Sequence, residues 1–136
     1  MVFIWNMETG HAETTPDVHA DIITDVRFQS NSTLLATSSL DETIKIWDAS
    51  KTLGTKKRIC ELRSDYGDKF FSCVFHPRVP DYLIVGSYKS LKLWKWVENT
   101  GNYLPTHEDR ISALADSPSR GIIASGSFDN TIKIWK

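Results

Sequence analysis

GIIASGSFDNTIKIWK, Gly121 to Lys136, nearly repeats LLATSSLDETIKIWDAS, Leu34 to Ser50. Aligned on their tryptophans, the two stretches share Ala36/Ala124, Ser39/Ser127, Asp41/Asp129 and Thr43/Thr131. An identical Ile-Lys-Ile-Trp follows at Ile44 to Trp47 and at Ile132 to Trp135. Each copy is an apolar run ending in small residues, a tight polar turn around Asp, and a second run in which Thr-Ile-Lys-Ile-Trp alternates. That pattern predicts two strands joined by a turn. In the second strand the isoleucines have one parity and Lys and Trp the other, so each face carries a large apolar group. Such a strand is expected to be covered on both sides.

Two weaker copies flank these. VGSYKSLKLWKW, Val85 to Trp96, keeps the small-residue strand end and Leu-Lys-Leu-Trp but has no Asp in its turn; VFIWNMETG, Val2 to Gly10, reads as the second strand alone. The aligned tryptophans Trp5, Trp47, Trp94 and Trp135 are 42, 47 and 41 residues apart. A period of about 40 to 45 residues with four strands is the signature of one WD-type β-propeller blade.

In chain order, residues 1–18 supply outer strands of an incomplete blade. Residues 19–63 form a blade with strands at Ile23 to Phe28, Leu34 to Ser39, Thr43 to Asp48 and Lys57 to Arg63. Residues 67–105 form a degenerate blade with strands at Phe70 to Phe75, Tyr82 to Ser87, Ser90 to Trp96 and near Asn102 to Leu104. Residues 106–136 form a last blade with strands at Ile111 to Ala115, Gly121 to Ser127 and Thr131 to Trp135, lacking an outer strand. The fold class is therefore all-β, about 13 strands in about three blades. A propeller ring closes with roughly four to eight. The expected shape is a partial arc whose end faces are exposed apolar sheet, marginally stable or aggregation-prone unless it assembles with another arc.

Composition excludes several function classes. With 40% hydrophobic and 24% charged residues the chain is of ordinary globular type, and a net charge of −1 provides no global field for nucleic acid. The cluster Lys56-Lys57-Arg58 reads as solvated loop and strand edge. No apolar run approaches the roughly 18 residues of a membrane helix, and no basic-then-apolar leader opens the chain, so an intracellular protein is expected. Cys60 and Cys73 fit small core residues; with His76 they give a C-x12-C-x2-H spacing that lacks a fourth metal ligand. The segments at Gly86 and Gly126 lack the spacing and following helix of a phosphate loop, so no cofactor is expected.

The residues that invite a chemical reading are His19, Ser39 (or Thr37), Asp41 and Trp47, and again His107, Ser127 (or Ser125), Asp129 and Trp135. Two Ser/His/Asp sets suggest a hydrolase at first sight. An indole donor in each set, the duplication, and the lack of a nucleophile elbow or oxyanion loop favour structural networks that satisfy buried polar groups. Trp96, on the strand face of Trp94, reads as packing at the blade rim. Propeller loops commonly present contacts to a peptide or another domain. The turn residues Leu40, Glu42, Tyr88, Phe128 and Asn130 and the loop entries Asp21 and Arg110 are therefore the candidate partner-binding set. Leu40 and Phe128 stand out as apolar side chains in tight turns.

Longer stretches resemble one WD family in particular. HADIITDVRF with LLATSSLDETIKIWDAS, then KFFSCVFHPRVPDYLIVGSYKSLKLW, then HEDRISALADSPSRGIIASGSFDNTIKIWK are similar to the C-terminal WD region of the LEUNIG-type plant corepressors. The pairing of SCVFHP with SYKSLKLW is its most specific part. The resemblance implies a nuclear, non-enzymatic scaffold joining DNA-bound transcription factors, through adaptors, to repressive machinery. It also implies that the match jumps at about Thr52 to Arg58 from an early blade to the penultimate one, and that the family's adaptor-binding N-terminal region and Gln-rich stretch are absent. The alternatives are a generic WD adaptor, such as a ubiquitin-ligase substrate receptor, or a non-functional truncated relative. A substrate receptor would be marked by Trp-Asp-x-Arg, and Trp47-Asp48-Ala49-Ser50 lacks the Arg.

Overall fold

The alternating segments form twelve strands in the computed structural model, which describes residues 2–15, 18–49 and 58–136. In chain order these are β1 (Val2–Trp5), β2 (Ala12–Thr15), β3 (Ile23–Phe28), β4 (Leu34–Ser39), β5 (Thr43–Asp48), β6 (Arg58–Arg63), β7 (Ser72–Phe75) and β8 (Tyr82–Gly86). They continue with β9 (Tyr88–Lys95), β10 (Thr100–Ser117), β11 (Ile122–Ser127) and β12 (Ile132–Trp135). Every pairing is antiparallel between chain neighbours, giving a β1–β2 hairpin, a four-stranded sheet β3 to β6, and a six-stranded sheet β7 to β12. The result is an arc of a β-propeller. The expected junction at about Thr52 to Arg58, and with it Lys56 and Lys57, lies almost wholly outside the described residues.

One element differs from the sequence expectation. The outer strand of the second blade and the inner strand of the third are a single run, β10: Thr100 to Pro105 pairs with β9 and Ile111 to Ser117 with β11. Between them the register shifts at Pro105 to Arg110. Pro105 cannot donate to a ladder, and the shift comes at that residue. The corresponding crossing from β6 to β7 instead loops through Ser64 to Phe71.

The core lies between blades. Ala36, Ile44, Ile46 and Leu62 of the first sheet pack on Phe70, Cys73, Phe75, Leu83, Val85 and Trp94 of the next blade. Beyond it, Val74, Ile84 and Leu91 pack on Ile111, Leu114 and Ile123. The parity read from Thr-Ile-Lys-Ile-Trp explains both layers: the Ile face of one blade meets the Trp face of the next. Each fully buried isoleucine contributes about 1.5–3 kcal/mol. Hydroxyls tie the blades together at the inner strands, Thr24 donating to the Phe70 carbonyl at 2.9 Å and Ser72 to that of Ile111 at 2.8 Å. The Cys73 thiol within this core is pushed by burial up to about 12, which makes it an inert packing group.

The three hairpin turns place Glu42, Lys89 and Asn130 at the same left-handed φ of 71°. Asn adopts this region at lower cost than Glu. Glu42→Asn is therefore expected to raise the unfolding free energy by about 0.5–1 kcal/mol, read as a higher chemical-denaturation midpoint at unchanged slope.

Candidate functional site

Two buried polar networks fix the turn-bearing ends of the first and third blades. His19 Nδ1 lies 3.0 Å from Asp41 Oδ2 and 3.0 Å from Thr43 Oγ1, and its Nε2 lies 2.7 Å from Thr37 Oγ1. The Trp47 indole N–H donates to the same Thr37 oxygen at 3.2 Å. The third blade repeats this with His107, Asp129, Thr131, Ser125 and Trp135, at 3.0, 3.0, 2.8 and 3.0 Å. One proton arrangement serves every contact: indole N–H to hydroxyl, hydroxyl O–H to Nε2, and Nδ1–H shared between the carboxylate and the Thr43 or Thr131 oxygen, whose own proton goes to the carboxylate.

The hydroxyl in each network is that of Thr37 and Ser125, the alternatives to Ser39 and Ser127. All four have the right parity, so reach decides. Trp47 pairs with Leu35 and Trp135 with Ile123, and the indole nitrogen extends to the residue two positions along the neighbouring strand. Ser39 and Ser127 sit two residues further on, at the strand ends. There Ser39 donates to the Ile22 carbonyl at 2.8 Å and Ser127 to that of Asp109 at 3.1 Å. Each also accepts the backbone N–H of its turn Asp.

Electrostatics follow from these contacts. Burial raises the Asp41 carboxyl, but donors from Thr43, the Ala20 backbone and His19 outweigh it and hold the group at about 2. For Asp129 the Thr131 hydroxyl is the largest influence and holds the carboxyl below its ordinary range. Burial lowers His19 despite the neighbouring carboxylate. Lys45 and Lys133 complete the networks by donating to the carbonyls of Val18 and Thr106, each one residue before the histidine. Sequence reasoning treated these lysines as strand alternation only, although both recur in the two copies. Thr37 and Ser125 are fully buried and already engaged on two sides, so neither is presented to a substrate.

The middle blade carries no such network among the described residues. Val85 takes the place of Thr37 in the strand register, and the turn is one residue shorter. The Trp94 indole donates to Asn99 Oδ1 at 3.0 Å instead. Lys92, at the position of Lys45, is lowered by burial, lies 4.7 Å from the centre of the Tyr103 ring and faces Asp65 at 3.9 Å. Trp96 packs against the first core layer and donates to the Pro80 carbonyl at 3.1 Å.

On the turn-bearing end the third blade gathers several candidates. The Arg110 guanidinium lies 5.4 Å from the Phe128 ring centre and 5.8 Å from that of Phe71, and Arg110 pairs in register with exposed Tyr88. Asp109 lies within 4.0 Å of the same guanidinium. Asn130 is exposed in the following turn. Asp21, Leu40 and Glu42 occupy the equivalent end of the first blade, where Leu40 N–H donates to the Ile22 carbonyl as Phe128 N–H does to that of Arg110. Interblade bonds from Phe70 N–H to Ser39 and from Ile111 N–H to Ser87 keep these ends in line. Exposed Ile22 and half-buried Phe71 belong to this face and were missed. The apolar pair Ile22-Ile23 and the doublet Phe70-Phe71 were the available signal, since a strand buries only alternate residues on a given face.

A family model for the WD domain, G-beta repeat, matches residues 10–48 and 99–136. The chain is 31% identical to the transcriptional corepressor LEUNIG_HOMOLOG of Arabidopsis thaliana, over 99% of the chain and 32% of that protein. It is 26% identical to periodic tryptophan protein 2 of Arabidopsis thaliana, over 98% of the chain and 15% of the relative. To nuclear distribution protein nudF of Aspergillus flavus it is 34% identical, over 86% of the chain and 26% of the relative. The chain thus spans about a third or less of the length of these relatives. The first alignment runs over 255 residues although the chain has 136, so the relative carries about 120 positions without a counterpart.

Proposed function

Because the chain belongs to the WD-domain, G-beta repeat family, we propose that it works without catalysis, as a protein-docking scaffold in the manner of a corepressor WD region. In that role it links DNA-bound transcription factors, or adaptors bound to them, to repressive machinery in the nucleus. The observation that carries the docking part is the cluster of exposed Phe128, Arg110 and Tyr88 around half-buried Phe71, beside the turn that the third-blade network fixes. Aromatic and arginine side chains on a fixed frame are the groups from which binding hot spots are built. Leu40, Glu42, Asp21 and Asn130 extend the surface around it. The corepressor part rests on the likeness to LEUNIG_HOMOLOG along nearly the whole chain.

Tethering the chain to a promoter through a fused DNA-binding domain should lower reporter output, and Phe128→Ser should remove most of that effect while leaving the unfolding transition in place. Phe128 is exposed, so the substitution is expected to change stability by no more than about 0.5 kcal/mol. Unchanged reporter output from the tethered wild-type chain overturns the repression reading. Unchanged repression by Phe128→Ser overturns the assignment of this face.

A further inference from the structure

The arc ends in two unlike faces, and the repeat shows what each is built to meet. By strand register Ile132 and Ile134 of β12 correspond to Ile44 and Ile46 of β5. The latter pair is 0% exposed against the next blade, whereas Ile132 and Ile134 are 78% and 63% exposed. At the other end Phe28 corresponds to Phe75; Phe75 is 4% exposed and Phe28 is 60% exposed. One open face is thus the donor half, and the other the acceptor half, of the interface formed between the first and second blades. Stable monomers rarely leave the apolar face of a sheet bare.

A second observation concerns the outer edge. In the first interface Leu62 of β6 is 6% exposed, while its register equivalent on β10, Leu104, is 45% exposed. Beside Leu104 lies an apolar pocket of about 220 Å³ lined by Leu91, Leu93, Ile123 and Trp135. A fourth strand beyond β12 would close it, and β12 has no neighbour on that edge among the described residues.

We infer that the chain associates head to tail with a second copy of itself, the partner's β2 adding to the free edge of β12 and the partner's first blade packing on Ile132 and Ile134. The β1–β2 hairpin states the register, since Trp5 pairs with Ala12, Ile4 with Glu13 and Phe3 with Thr14. β1 and β12 end alike, in Phe-Ile-Trp and Lys-Ile-Trp. Trp135, Ile134 and Lys133 therefore take the partner's Ala12, Glu13 and Thr14. Exchanging one four-residue partner for another leaves the backbone hydrogen bonds of β2 balanced, and the gain is burial of the two open faces. The geometry of succession also fits: β2 leads into β3 over a connection close in length to that from β6 to β7. Two copies provide six blades, within the four to eight at which propellers close, so the head-to-tail contact ends in a ring instead of a filament.

This inference does not rest on the docking face, which would survive its failure. Sedimentation equilibrium of the whole chain should give twice 15.5 kDa as the limiting mass. A monomer at all concentrations, or an open series of larger species, overturns it. Ile134→Lys, at a side chain already exposed in the single chain, should halve the mass, and a dimer that survives the substitution overturns the proposed face. For register, two mixtures in a Cys60→Ser background are oxidised mildly: Thr14→Cys with Lys133→Cys, and Glu13→Cys with Ile134→Cys. Adjacent antiparallel pairs alternate in geometry, so one mixture has the spacing a disulfide needs. A linked heterodimer from either supports the strand exchange, and none from both overturns it.

Discussion

Asp41→Ala is expected to lower the unfolding free energy by about 3 kcal/mol. The carboxylate accepts from His19, from the Ala20 and Thr43 backbone N–H groups and from the Thr43 hydroxyl. The His19 ring is wholly buried. Alanine leaves those donors without an acceptor where water has little access, the costly half of the hydrogen-bond asymmetry. Chemical denaturation measures the loss, and a change under about 1 kcal/mol would show that the network is dispensable. Acid should act in the same direction. With a folded value of about 2 against the ordinary 3.8, Asp41 contributes stability that is complete above 3.8 and lost as pH falls through 2. His19 is held below its ordinary 6.5, so the fold favours the neutral ring. That contribution is complete above 6.5 and declines as pH falls below it. Both effects destabilise on acidification, and the melting midpoint should fall steadily from pH 7 to pH 3. Asp41→Ala should flatten the acid part of that curve, and a maximum near pH 4 would contradict the assignment.

Trp94→Ala should cost about 3–5 kcal/mol, while Trp5→Ala should stay within about 0.5 kcal/mol. The two occupy the same place in the repeat. Trp94 is completely buried against Ile44, Ile46 and Leu83, in the layer that joins the first two blades. Trp5 is largely exposed on the N-terminal hairpin. Parallel denaturation curves of the two variants test this, and equal losses would mean that Trp5 is packed in the single chain, whose β1–β2 pairing the strand exchange would part. For that reason the comparison is best made on Ile134→Lys, in which the exchange is disabled.

The residues themselves determine much of this protein. Alternation in Thr-Ile-Lys-Ile-Trp imposes a strand with two apolar faces, small residues followed by a polar turn impose the hairpin, and the 41-to-47-residue spacing of the tryptophans imposes stacked blades. These are local consequences of side-chain parity and turn chemistry, and they need no knowledge of neighbours. Tertiary structure decided which of two eligible hydroxyls joins each network, because cross-strand reach selects Thr37 over Ser39 and Ser125 over Ser127. It merged two strands into β10, and it brought Phe71, Arg110 and Phe128 together across a blade boundary. It also decided that identical isoleucines are core at Ile44 and surface at Ile132. Burial is a property of the surface that arrives opposite a side chain, and a repeat specifies the side chain without specifying whether that surface is present.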